Sequence, residues 1–377
     1  MEARESLLAA VDGIACTVEA ERAEGDRRGL LTDAAVQALV ESGLLRLKLP
    51  VEVGGYDADP PTQFAVLERL AHADGATAWC AMAMGTAGAW ASSRLPDAGI
   101  AEITGGRGWP ICAGTFPFSG RARRERGGWR VRGRWGFASG IRNATWVACA
   151  AVVDAPDGAH DAERVCLVVP AAHVVIEDTW HVDGLRATGS THYHVGDLFV
   201  PDARAFQLEG PPQRGGPMHR LPPLAYLVGD HIGVGLGLAR RALDEITAEA
   251  RGRVRLGSTT ATASRGHFEH ELGHLDLALR AARALLEVEL EGLWSVARSG
   301  SRPDPRAVVR ARATASYAAQ CVVEAALFAH RMSGAGGVLD DGPRRRAVMD
   351  ALTLTQHIYL NDEVLDAWGR ALVEDQP

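Results

Sequence analysis

The chain has 377 residues, a net charge of -7, and 47% hydrophobic against 23% charged residues, the profile of a soluble globular protein with more than one subdomain. No sustained basic stripe marks a nucleic-acid binder, and no apolar run reaches the roughly 18 residues that a membrane span needs. Six scattered cysteines (Cys16, Cys80, Cys112, Cys149, Cys166, Cys321) form no Cys-x-x-Cys pair, and several sit in apolar segments, so they read as buried, reduced thiols of a cytoplasmic protein.

Met1-Glu2-Ala3-Arg4-Glu5 leads into an amphipathic helix rather than a signal peptide. Thr32-Asp33 caps a second helix running through Val36, Leu39 and Val40 to a stop at Gly43. Gly54-Gly55 and Pro60-Pro61 break the chain, and a helix follows from about Thr62 with Phe64, Leu67 and Leu70 near one face. The next helix, over 76–92, carries no charge and is expected to be buried on most sides. Arg121, Arg123, Arg124 and Arg126 form a short basic run that reads as a solvated loop. Beyond a Gly127-Gly128 turn, residues 129–135 alternate between Arg and uncharged residues, a half-buried strand with Trp129, Val131 and Trp135 facing inward. Further strands are expected over 145–153, 164–169, 174–177 and 193–200, separated by turn signals such as 154–158. Residues 210–217 read as a Gly/Pro-rich linker. Four long helical patterns follow, over 222–251, 264–298, 305–333 and 343–373, and their short breaks imply a bundle. The division expected is a helical N-terminal domain (1–108), a central antiparallel β domain (109–215) and a C-terminal four-helix bundle (216–377).

Several segments carry a resemblance. Ala73-Asp74-Gly75-Ala76-Thr77-Ala78-Trp79 is a helix entry, Thr115-Phe116-Pro117-Phe118-Ser119-Gly120 a Pro-Gly loop, and Arg134-Trp135-Gly136-Phe137-Ala138-Ser139-Gly140 a strand end. Gly184-Leu185-Arg186-Ala187-Thr188-Gly189-Ser190-Thr191 precedes a strand ending in Val200-Pro201, and Arg251-Gly252-Arg253-Val254-Arg255-Leu256-Gly257 follows the first bundle helix. The tail contains Met349-Asp350 and ends in Thr355-Gln356-His357. Together they resemble the acyl-CoA dehydrogenase fold, in the branch of the oxygenase components of two-component flavin-dependent monooxygenases. The resemblance implies reduced FMN or FAD as cofactor, O2 as co-substrate, a separate NAD(P)H-dependent flavin reductase as partner, and a homotetramer.

The same resemblance implies the roles. Thr115, Phe137, Ala138, Ser139, Trp180, Ser190, Thr191 and Arg253 would lie along the flavin, with Arg251 the second choice for the phosphate. Fixed hydroxyl and N–H donors suit the negative charge of a reduced flavin, and a guanidinium fork suits phosphate. Phe116, Phe118, Gly88 and Trp90 would line the substrate pocket. Phe116 stands where the family's loop has Glu, which makes a drier site. Gly88 stands where several phenol hydroxylases of the group carry His, which is expected to enlarge the pocket and to suit a bulkier polycyclic substrate, or an amine or sulfur substrate. Taken alone, Thr115–Gly120 is equally an ordinary surface turn and Ser139 a turn residue at a strand end.

A dehydrogenase of this fold needs a carboxylate near the tail to remove a proton alpha to a thioester. The tail offers His357 instead, and the position following Arg253 is Val254, so both customary bases are missing. His357 and Ser139 are therefore the catalytic candidates for hydroxylating an aromatic small molecule after oxygen adds at flavin C4a, with His357 as acid/base; the bland alternative is a histidine packed in the bundle. Three rivals stand beside this reading: an acyl-thioester dehydrogenase, a non-catalytic protein of the same fold, and a zinc hydrolase. The last rests on His270-Glu271-Leu272-Gly273-His274, a literal His-Glu-x-x-His on a helix, which has Leu277 and Arg280 where the extended motif wants Gly and His.

Overall fold

The computed structural model describes residues 2–154, 163–254, 256–338 and 342–374. The chain divides into two compact units, one of Met1–Ala58, Trp79–His181 and Arg186–Pro223, the other of Asp59–Ala78, Val182–Leu185 and Leu224–Pro377. Five helices come first: α1 (Glu2–Arg28), α2 (Asp33–Glu41), α3 (Pro60–Ala73), α4 (Gly75–Arg94) and α5 (Asp97–Thr104). Thr32 caps α2 as its sequence predicts, its Oγ1 accepting from Ala35 N at 3.2 Å. Pro60 and Pro61 open α3 rather than break the chain before it. Asp59 caps that helix through Thr62 N at 2.8 Å, and proline suits the first turn because the amides it lacks have no intrahelical partner there.

The first unit holds a seven-stranded sheet in the order β5-β6-β2-β1-β3-β4-β7, formed by β1 (Cys112–Glu125), β2 (Gly128–Ala138), β3 (Trp146–Val153), β4 (Arg164–Pro170), β5 (Val174–Ile176), β6 (Thr191–Pro201) and β7 (Ala205–Phe206). Every pairing is antiparallel except β1 with β3. Trp129, Val131 and Trp135 are buried, as the period of two requires. Trp135 stacks on its cross-strand partner Tyr193 at 5.3 Å and donates to Ala150 O at 2.8 Å. Gly114 sits where β1 presses on β3: a Cβ there would lie 2.1 Å from Ala148 O. Cys112, Cys149 and Cys166 are buried in these strands.

Three expectations change here, the first being that Arg121, Arg123 and Arg124, expected on a solvated loop, lie in β1 and pair with β2. The segment Thr115–Gly120 is not a free loop but part of β1, whose register with β3 shifts between Thr115 and Gly120. Beyond Asp154, the turn expected at 154–158 lies outside the described residues. Residues 210–217 are not a slack linker either. Arg214 donates to Ser92 O and Leu95 O at 2.6 and 2.7 Å, and Gln213 to Arg94 O at 3.1 Å. They satisfy the carbonyls that the end of α4 leaves without intrahelical donors.

The second unit is built from α3, the first turn of α4, and the C-terminal helices α6 (Pro223–Tyr226), α7 (Val228–Gly252), α8 (Gly266–Arg298), α9 (Pro305–Met332), α10 (Pro343–Thr355) and α11 (Glu363–Glu374). Gly75 allows Leu238 of α7 to come close, since a Cβ would meet Leu238 Cδ2 at 2.4 Å. The helix expected over 343–373 is broken. β-Branched Thr353 and Thr355 end α10, Gln356 N and His357 N turn back to Thr353 O and Leu354 O, and Leu360 and Val364 are buried on the far side. Asn361 O accepts from Ser316 and the Asp362 carboxylate from Gln320, both on α9, at 3.1 Å each, so the break is held in place. No helix among the described residues is long and apolar enough to cross a membrane.

Candidate active site

In the first unit β2 ends in a bulge. The register with β6 slips between Trp135 and Ala138, and Phe137 sits at φ 62°, a left-handed conformation that costs a non-glycine residue energy. The result is an aromatic side chain 67% exposed near the end of a half-buried strand. Trp180 meets its ring edge-on at 6.4 Å and His192 lies tilted at 5.1 Å. Trp180 is fixed by its Nε1 donating to Arg186 O at 3.0 Å, and His192 Nδ1 lies 2.6 Å from Thr179 Oγ1. A strained, exposed ring with two supported neighbours is a shelf for a flat ligand.

Behind this shelf runs a buried line of hydroxyls. Trp79 Nε1 donates to Ser139 Oγ at 3.0 Å, Ser139 Oγ pairs with Ser190 Oγ at 2.7 Å, and Ser190 Oγ pairs with Thr188 Oγ1 at 2.7 Å. Ser139 and Ser190, predicted separately, are thus joined, and Trp79 and Thr188 are members that sequence reasoning did not assign. Ala138 is fully buried and pairs with Thr191 across the strands. The Thr191 hydroxyl is turned inward: it donates to Glu177 O and contacts Thr179, so it pins a turn rather than facing a ligand. Thr115 Oγ1 is buried on β1, and the group that faces it is the buried Tyr193 phenol.

Of the predicted pocket residues, Trp90 and Phe116 meet edge-on at 4.6 Å. Phe118 is instead covered by the Arg164 guanidinium, 5.1 Å above its ring. Gly88 does not leave open space. The Trp109 indole fills it, so that a Cβ at position 88 would lie 2.8 Å from Trp109 Nε1. The missing side chain on α4 is replaced by one from the loop before β1, which a linear reading cannot see.

In the second unit His357 lies in the break between α10 and α11, not on a helix. It stacks on His231 of α7 at 4.1 Å, and Tyr359 lies nearly parallel to His231 at 5.1 Å and to His357 at 5.4 Å. Burial pushes the His357 pKa down to about 4 and raises Tyr359 to about 12, so both are neutral at neutral pH. His231 was missed because an isolated histidine in a glycine-rich helix gives no sequence signal. Asp350 is a further missed positioning group: its carboxylate accepts from Leu185 N at 2.5 Å, and Leu185 is held at φ 50°. Arg253, predicted to reach a phosphate, is occupied within its own chain by Glu249 at 2.7 Å, Ser333 O at 2.5 Å and Met332 O. Arg251 is exposed, Arg255 lies outside the described residues, and Val254 is an exposed apolar residue that offers no base. His270 and His274 are exposed on α8, and no group of three potential metal ligands gathers among the described residues.

The family profile for the acyl-CoA dehydrogenase N-terminal domain matches residues 2–95 and that for the C-terminal domain residues 231–362. An indole-3-acetate monooxygenase of Pseudomonas putida is 31% identical over 355 residues, covering 94% of this chain and 90% of that one. The chain belongs to the flavin-dependent monooxygenases of the acyl-CoA dehydrogenase fold. The FADH2-dependent resorcinol hydroxylase, oxygenase component, of a Rhizobium sp. is 26% identical, with 98% of this monooxygenase and 95% of that protein aligned. Among solved structures, XiaF from Streptomyces sp. in complex with FADH2 and glycerol superposes with a TM-score of 0.90 at 26% identity, covering 100% and 97% of the two chains. The monooxygenase is an oxidoreductase that works with reduced flavin. Its shelf of Phe137, Trp180 and His192 fits such a ring, offering aromatic faces for stacking.

Proposed function

We propose that this monooxygenase is the oxygenase component of a two-component system, taking FMNH2 or FADH2 from a separate NAD(P)H-dependent flavin reductase and hydroxylating an aromatic small molecule of the indole or phenol class. Reduced flavin supplies the electrons that split O2 between substrate and water. The protein's own part is to bind, orient and keep dry. Phe137, with Trp180 and His192, offers the flavin a shelf, and the Trp79–Ser139–Ser190–Thr188 line holds its hydroxyls in fixed directions without solvent. Trp90 and Phe116 supply apolar surface that excludes water.

The observation that carries the reading is the His357 stack. A dehydrogenase needs a charged base in this turn, whereas His357 is desolvated and neutral. A neutral imidazole accepts a proton from a substrate hydroxyl or ring nitrogen, or donates a hydrogen bond to a developing oxygen charge. The homotetramer is part of the proposal. Leu277, Leu285 and Val288 lie exposed along α8, and Tyr317 and Leu327 along α9, an apolar surface that a single chain leaves open. A cytoplasmic location suits cysteines that all stand as thiols. The test is stopped-flow absorbance of the protein with reduced FMN, and separately FAD, mixed with O2. A transient band unlike either reduced or oxidised flavin supports the proposal and names the preferred flavin. Direct reoxidation with both flavins, with and without indole or phenol present, refutes it.

A further inference from the structure

Several arginines of the second unit are locked to carboxylates. Arg310 grips Glu289 at 2.8 and 3.0 Å, Arg283 grips Glu68 at 2.8 and 2.9 Å, and Arg344 reaches Glu245 and Glu249 at 2.9 and 2.7 Å. Arg312, half a turn along α9 from Arg310, has no carboxylate within 4 Å among the described residues. Its contacts are a long 3.4 Å bond from Nη2 to Ile358 O and the face of Tyr359, 5.9 Å from the ring centre; its Nε is buried without a hydrogen bond. Burial pulls its pKa down, opposite to Arg310, where the Glu289 hydrogen bond raises it. Half-burying a cation without a counter-charge is costly. Tyr359 offsets only part of that cost, and no carboxylate does: His357 is neutral, and Asp230 of α7 acts on Tyr359.

We infer that Arg312 is a substrate-recognition residue that receives the carboxylate of an aromatic acid, whose ring lies against the His231–His357–Tyr359 stack. The inference rests on the monooxygenase reading for the substrate's fate but not for its binding. An arginine fork takes a carboxylate with two parallel hydrogen bonds, and here Nη1 is uncommitted and Nη2 only weakly held. Parallel imidazole and phenol faces favour an arene beside it. Acid and ring recognition thus occur together, next to the proposed acid/base.

Equilibrium dialysis of the full chain against indole-3-acetate and against indole tests this without any turnover. The wild type is expected to prefer the acid. Arg312→Gln should weaken the acid by about 10- to 100-fold and leave indole within about twofold. Arg312→Lys, which keeps the charge and loses the fork, should fall between, and it carries the test if the Gln variant proves unstable. Equal loss for both probes, or no loss for the acid, overturns the assignment. So does an Arg312→Gln protein that binds both probes normally but loses reduced FMN, which would give Arg312 to a flavin phosphate, or one that only dissociates into smaller oligomers, which would give it to a neighbouring copy. A wild type that binds the acid in this way but shows no oxygen-dependent flavin transient would refute the monooxygenase reading and leave the subsite standing.

Discussion

His357 is expected to make the fold acid-sensitive by an amount the structure fixes. Its pKa falls from 6.5 in an ordinary setting to about 4 in the folded protein because burial disfavours the imidazolium. The unfolded chain therefore binds the proton more tightly than the folded one. The stabilisation is complete above pH 6.5 and is lost as pH falls toward 4. At pH 5 the unfolded ring is almost fully protonated and the folded ring only about one-tenth, so folding is weakened by about 2 kcal/mol relative to pH 8, rising to about 3 kcal/mol below pH 4. Urea unfolding of the wild type and of His357→Asn, followed by tryptophan fluorescence at pH 5, 6, 7 and 8, isolates this effect. Other titrating groups contribute to both curves and drop out of the difference. The wild type should lose about 2 kcal/mol more than the variant between pH 8 and 5. Parallel curves would refute the desolvated imidazole, and with it the claim that a neutral base occupies this turn at working pH.

Other outcomes follow from local geometry. Phe137→Gly should raise thermal stability, by about 1 kcal/mol, because φ 62° suits glycine, while reduced-flavin affinity falls about tenfold with the stacking ring gone; a variant less stable than the wild type would contradict the strain argument. Ser139→Ala removes the acceptor of Trp79 Nε1 and the partner of Ser190, so the unfolding free energy should drop by about 1–3 kcal/mol, and the lifetime of the oxygen-dependent flavin transient should shorten. Gly114→Ala places a methyl 2.1 Å from Ala148 O and should cost about 3 kcal/mol in denaturant titration; an unchanged midpoint would mean that β1 and β3 separate easily.

The sequence made the fold legible wherever a local rule acted alone. The alternation of residues 129–135 yields β2, the Thr32 cap starts α2, and the charge-free run becomes buried α4. It failed where partners distant in sequence decide. Thr115–Gly120 carries turn chemistry, yet its pairing with β3 draws it into a strand. The pattern over 343–373 is helical throughout, but hydrogen bonds from Ser316 and Gln320 hold the break that places His357 in a turn. The site was legible in part for the same reason. Ser139, Ser190 and Phe137 were named from contiguous motifs and Trp180 from beside one, and the structure brings Ser139 to Ser190 and Phe137 to Trp180. His231, Trp109 and Arg312 belong to no motif, and only the packing of α7, of the loop before β1 and of α9 gives them meaning.

The buried cysteines of the sheet bear on how such an enzyme survives its own reagent. Handling O2 with reduced flavin releases some hydrogen peroxide, and a thiol is oxidised through its thiolate. Burial pushes Cys112 and Cys149 up to about 12 and Cys166 higher still. At neutral pH only about one molecule in 100,000 carries a thiolate at Cys112 or Cys149. The sulfurs of the sheet are chemically silent toward a leaked oxidant, and Cys16, exposed on α1, is the one that a stray peroxide meets first.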